Sequence, residues 1–141
     1  MRLTVTRKSD LAIRALRTLA AGPDWVPGDE LAAAVGTTRG FLVQVMAPLV
    51  RARWVQSTPG PLGGYRIPTP LDAVTVLDVI ESIEGPLEAT TCVLEPDRDC
   101  ATAHQGAGRP CALHEPWLAA RSALRAELAR RPVIAVDSIQ S

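Results

Sequence analysis

DELAAAVGTTRGFLVQVMAPLVRARW, residues 29–54, decides the fold. It holds two helix patterns with almost nothing between them. The first is short, and Gly36 stops it, because glycine enters the left-handed conformation without steric cost. In the second, Leu42, Val45, Met46 and Leu49 fall at i, i+3, i+4 and i+7, one buried stripe. Thr37 or Thr38 supplies its cap. Pro48 lies inside the pattern and removes one backbone donor. Two helices joined by a tight glycine turn form a helix-turn-helix, whose second helix begins with the polar groups that meet base edges.

The flanks extend this reading. Upstream, Ser9 is placed to cap a helix whose apolar positions are Leu11, Ala12, Ala15, Leu16 and Leu19. AGPDWVPG, residues 21–28, is a turn, with two prolines and two glycines in eight residues. Downstream, WVQSTPGPLGGYRIP has β-prone pieces near Trp54–Ser57 and Tyr65–Ile67 around a Pro- and Gly-rich turn, which reads as a β-hairpin. Three helices and then a hairpin is the element order of a winged helix-turn-helix. TVLDVIESIEG follows as a helix. Thr75 and Asp78 form a variant capping box, Val76, Val79, Ile80 and Ile83 form its stripe, and Gly85 ends it. A last helix, PWLAARSALRAELARR, starts near Pro116 and presents Trp117, Ala120, Leu124 and Leu128. The tail PVIAVDSIQS reads as a short strand or helix. The expected class is mainly α. The expected organisation is a winged head over 1–70, a connecting helix over 71–89, a cysteine loop over 90–115, and a dimerisation helix with a tail over 116–141.

Composition agrees with a packed helical protein. Apolar residues are 47% and aromatics only 4%, so the core must be built from Ala, Val and Leu. No apolar run approaches the roughly 20 residues a membrane span needs. The charged opening MRLTVTRKSD does not read as a secretory signal, which predicts a cytoplasmic protein in a compartment that keeps thiols reduced. The formal net charge of zero hides an asymmetry. Up to Arg66 there are nine basic and four acidic residues, and beyond it six basic and eleven acidic, so the halves carry +5 and −5. A basic front half suits a polyanionic partner.

On a winged head the third helix would enter the major groove. Arg39 could read guanine and Gln44 adenine, because their fork geometries match those base edges. Thr37 and Thr38 stand at the same helix start. Arg7, Lys8, Arg14, Arg51, Arg53 and Arg66 are candidates for phosphate contacts or the basic surface around them, which position the protein without specifying sequence.

The remaining chemistry sits in TTCVLEPDRDCATAHQGAGRPCALHEPW, residues 90–117. It contains all three cysteines, Cys92, Cys100 and Cys111, and both histidines, His104 and His114. Free cysteine usually hides in apolar cores, and these three stand in a polar loop. Structural zinc sites bring their ligands in close pairs, and only Cys111 with His114 does so here. Thiolates spaced this widely suit an iron–sulfur cluster wrapped by irregular backbone. His114 is the best local fourth ligand and His104 the second. A zinc site or a cluster-free thiol switch is the alternative. The chain shows no nucleophile–base pairing and no phosphate-binding glycine loop, so an enzyme is not expected.

Taken together, the sequence resembles the iron–sulfur winged-helix regulators typified by IscR and NsrR. The resemblance rests on MRLT, SDLAIRALRTLA, the wing GPLGGYRI, VTVLDVIESIEG, the three cysteines and CALHEPW, and it spans nearly the whole chain. It implies a homodimer joined through the long helix from Pro116 to Arg131, with each head on one half of a palindromic double-stranded operator. It implies a cluster on Cys92, Cys100 and Cys111. The fourth ligand would be His114 for a 2Fe–2S cluster, the preferred form, or Asp10 of the partner subunit for a 4Fe–4S cluster. The implied function is a repressor-type regulator whose operator affinity follows nitric oxide, redox state or iron–sulfur status. Two features depart from the family pattern: the intervals between cysteines are longer than usual, and Pro59 stands at the wing tip where relatives often carry a basic residue.

Overall fold

A computed structural model describes residues 3–60, 63–87 and 112–134. Five helices and one hairpin are present among them: α1 (Arg7–Ala21), α2 (Gly28–Val35), α3 (Arg39–Arg51), β1 (Gln56–Thr58), β2 (Gly64–Arg66), α4 (Val76–Glu84) and α5 (His114–Ala129). The mainly α winged architecture expected from the sequence is the one observed.

The stops and caps of α2, α3 and α4 follow their local signals. Gly36 adopts φ 79° and ψ 41°, and its N–H reaches the carbonyls of Ala32 and Ala33. Thr38 is the N-cap of α3, with its hydroxyl accepting from the Phe41 N–H at 3.1 Å. The Thr75–Asp78 box closes in both directions, at 3.1 and 2.9 Å. The α3 stripe of Leu42, Val45, Met46 and Leu49 is wholly buried, and the helix continues through Pro48.

Three local expectations are corrected. Ser9 is not the cap of α1; Thr6 is, and its hydroxyl accepts from the Ser9 N–H at 3.2 Å. Ser9 is instead fully buried in the first turn, where its hydroxyl donates to the Glu84 carboxylate at the far end of α4. The hairpin starts later than expected, because Trp54 and Val55 still donate to the Leu49 carbonyl and finish α3. On α4 the fully buried positions are Leu77 and Val79, while Val76, Ile80 and Ile83 are half-buried. Neighbouring elements cover more than one face of that short helix.

The hairpin is antiparallel, pairing Gln56 with Arg66, Ser57 with Tyr65 and Thr58 with Gly64. It is anchored to the turn before α2, where Val26 and Tyr65 exchange both backbone hydrogen bonds at 2.9 Å. Gly64 sits at φ +149°, and a Cβ there would lie 2.1 Å from the Val26 carbonyl oxygen, so only glycine allows this approach.

A single core unites α1, α2 and α3 with Val55, Leu71, Val79 and Val133. The start of the tail is therefore structural. Pro132 bridges Thr75, the Val133 N–H donates to the Val74 carbonyl at 2.9 Å, and Arg17 Nε donates to the Val133 carbonyl at 3.0 Å. Helix α5 begins two residues earlier than expected and carries no buried residue.

Candidate nucleic-acid interface

The interface is built on the face of α3 opposite its buried stripe. Burying Leu42, Val45, Met46 and Leu49 leaves Arg39, Gly40, Val43, Gln44 and Arg51 exposed. With Thr38 capping the first turn, the helix N-terminus faces outward beside the hairpin. Between α3 and the hairpin runs an open groove of about 550 Å³, bordered by Gly28, Asp29, Arg39, Val43, the segment Ser57–Gly60 and Tyr65.

Arg39 is held in this groove before any partner arrives. Its Nη1 lies 3.3 and 3.4 Å from the two carboxylate oxygens of Asp29. Its stem passes Gly28, where a Cβ would stand 3.6 Å from Nε. Burial pushes the Tyr65 hydroxyl above the ordinary tyrosine range, opposed in part by the Arg39 charge, so the phenol stays neutral there. Both members of the Arg39–Asp29 pair are mostly exposed, so it orients the guanidinium while adding little to stability.

The other basic candidates divide into two groups. Arg7 donates from Nη2 to the Gly36 carbonyl at 3.3 Å, fastening α1 to the turn between α2 and α3. Arg66 is engaged on three sides: Nε donates to Gln56 at 2.8 Å, Nη1 meets Asp24 at 3.2 Å, and the guanidinium lies 5.1 Å from the centre of the Trp25 ring. Arg66 therefore braces the hairpin against the α1–α2 turn. Lys8 and Thr37 are half-buried, while Arg51, Arg53 and Gln44 are exposed. Arg53 is unusual in its backbone, the one described non-glycine residue at positive φ, 65°. It closes α3 as a Schellman turn, with its N–H on the Val50 carbonyl and that of Trp54 on Leu49.

Sequence reasoning missed Asp29, Val43 and the Glu84 junction. Helical periodicity could have found Val43, one turn after Arg39. The partners of Asp29 and Glu84 depend on the packing of separate elements.

Of the expected metal ligands, Cys92, Cys100, Cys111 and His104 lie outside the described residues. His114 is the first residue of α5 rather than part of a loop. Asp10 is exposed in the first turn of α1 and pairs with Arg14 at 3.0 Å. Among the described residues no group of three or more His, Cys, Asp or Glu side chains is placed to hold a metal. The chain leading toward the cysteines is fixed at its start, where the Leu87 N–H donates to Glu81 at 3.0 Å and Arg125 of α5 pairs with the same carboxylate. These contacts hold the Glu81 carboxyl below the usual range; the Leu87 N–H contributes most, and burial works against it.

Three core helices, the third with one face left open, and a hairpin alongside define a winged-helix DNA-binding regulator. Comparison with known proteins agrees. Residues 5–133 match the Rrf2 family, described as iron-dependent transcriptional regulators. The chain is 32% identical over 128 residues to Rv1287 of Mycobacterium tuberculosis, assigned as an HTH-type transcriptional regulator, covering 89% of this chain and 76% of that protein. Among solved structures, CymR, the global cysteine regulator of B. subtilis, superposes with a TM-score of 0.68 at 22% identity, covering 94% of each chain. IscR of T. potens superposes with a TM-score of 0.65 at 21% identity, covering 93% of this chain and 83% of that one. The protein belongs to the Rrf2 family and is a transcriptional regulator, not an enzyme.

Proposed function

We propose that this regulator binds a palindromic double-stranded operator as a homodimer in the cytoplasm, acts as a repressor, and responds through an iron–sulfur cluster. The observation that carries the DNA reading is the exposed face of α3, with Arg39 pre-oriented beside the hairpin on a basic head. Thr38, Arg39 and Gln44 would meet bases, while Arg51, Arg53 and Lys8 would meet phosphates. Arg7 and Arg66 would support that surface from its edges. The dimer reading rests on α5. This 16-residue helix has no buried residue, Trp117, Leu118 and Leu128 are only half-buried, and Leu124 and the N-cap Leu113 are exposed, so it is short of the packing that normally sustains a helix. A second copy of the same helix would supply it.

The donor set suits a cluster. Cys92, Cys100 and Cys111 supply three thiolates within one segment between α4 and α5, and His114 follows the last of them by three residues. His114 fits a 2Fe–2S form as fourth ligand, and Asp10 of the partner subunit fits a 4Fe–4S form. When bound, such a cluster supplies a centre that reacts with nitric oxide or oxidants. The chain's own part is to tie the start of the segment at Leu87, and α5 at Arg125, to Glu81 of α4, so that a change within the segment would reach the heads. The likeness to CymR and to IscR, each under a quarter identical, bears on the fold alone. A cluster-free thiol or zinc regulator is the competing reading.

The test is anaerobic purification followed by visible spectroscopy and operator binding before and after nitric oxide. Brown protein whose colour is lost in Cys92→Ser, Cys100→Ser and Cys111→Ser supports the cluster. Colourless protein carrying one zinc ends it. Loss of operator binding in Arg39→Ala supports the recognition helix, and unchanged affinity refutes it.

A further inference from the structure

We infer that Val43 is a specificity residue of the operator-reading face, recognising the methyl group of a thymine beside the base read by Arg39. The inference rests on the DNA-binding reading of α3 and adds to it a base that no polar side chain reports. Val43 is 54% exposed, although it lies in the middle of a helix whose other large apolar side chains are buried or half-buried. The fold gives no reason for valine there. It packs little of its surface, and a β-branched residue is a weaker helix former than alanine.

Its surroundings match a base reader. Val43 stands four residues after Arg39, next to Gln44, on the wall of the groove that faces the hairpin. Gly40, one turn before it, has nothing within 4 Å of the position its Cβ would occupy, so the helix surface around Val43 is open to close approach. The thymine methyl is the one apolar group that base edges display in the major groove, and an aliphatic side chain is its usual reader. Four residues of helix advance about 6 Å. At about 3.4 Å per base pair, Val43 reaches a base no more than two steps from that of Arg39.

The experiment uses the full-length protein and duplexes that it enriches from a random-sequence pool. Each thymine of the enriched duplex is replaced in turn by uracil, which removes only the methyl group. Affinity is read by fluorescence anisotropy at one salt concentration. The expected result is one thymine per half-site, within two base pairs of the position where Arg39→Ala loses its base preference, whose replacement weakens binding. Burying a single methyl predicts a loss of about fourfold. Val43→Ser, which puts a polar hydroxyl in place of the methyls, should bind the thymine and uracil duplexes equally while keeping the helical circular dichroism of the parent. Wild-type protein indifferent to uracil at every position overturns the inference, as does a thymine-to-uracil ratio that Val43→Ser leaves intact. In either case Arg39-dependent enrichment would leave the DNA-binding reading standing. Failure to enrich any duplex would overturn that reading and this inference together.

Discussion

Replacing Ser9 with alanine should weaken the fold in a pH-dependent way. Glu84, the last residue of α4, receives three donors on one carboxylate oxygen: the Thr6 N–H and hydroxyl, each at 3.1 Å, and the buried Ser9 hydroxyl. Burial pushes the Glu84 carboxyl up, but these donors outweigh it, Ser9 foremost, and hold it below its ordinary value. A hydrogen bond to a charged group contributes about 1.5–3 kcal/mol. Glu84 is largely exposed, so solvent screening reduces this to about 1 kcal/mol. The sign follows from the lowered pKa. The contribution is fully present above the unfolded value near 4.5 and is lost as pH falls through the lower folded value. Urea unfolding of parent and Ser9→Ala should therefore differ by about 1 kcal/mol at neutral pH and converge as pH falls from 4.5 through the lowered folded value. Equal stability at neutral pH, or a difference undiminished in acid, would refute the reasoning. This junction joins the start of α1 to the end of α4, just before the segment that carries the cysteines.

Three further outcomes follow from the head. Arg53→Gly should raise stability by about 0.5–1 kcal/mol in thermal unfolding, since Arg53 holds φ 65° without glycine's freedom. The same change should lower the salt slope of DNA binding by about one. A less stable variant with an unchanged slope would count against both roles. Gly64→Ala should cost about 2 kcal/mol or more and free the hairpin from Val26, because the added Cβ would lie 2.1 Å from the Val26 carbonyl oxygen. Loss of operator affinity with the helical spectrum retained is the expected signature. Asp29→Asn should leave the melting temperature nearly unchanged, since the exposed pair contributes less than about 1 kcal/mol. It should raise affinity for unrelated duplexes relative to operator, and an unaltered ratio would show that Asp29 does not orient Arg39.

Much of the head was legible because its signals are local. Gly36 stops α2, Thr38 caps α3, the Thr75–Asp78 box opens α4, and Gly85 ends it. Each device acts within about four residues, so neighbouring letters encode it. The i, i+3, i+4, i+7 stripe of α3 is equally local, and it placed Arg39 and Gln44 on the outer face by exclusion. The cysteine spacing and the charge asymmetry were also plain in the chain.

Only the tertiary structure decided which polar residues have partners. Ser9 looks like a cap in sequence, but its hydroxyl goes to Glu84, 75 positions away. Arg66 reads as a phosphate contact, yet Asp24, 42 positions earlier, and the Trp25 ring draw it into the hairpin's base. Val133 belongs to an undecided tail, and α1 and Val74 bring it into the core. Arg39 was visible as a candidate reader, and its pairing with Asp29 was not. Helix boundaries depend on backbone groups a few residues apart and leave their mark in adjacent letters. The pairing of side chains depends on how the helices pack, and only the assembled core brings those distant positions together.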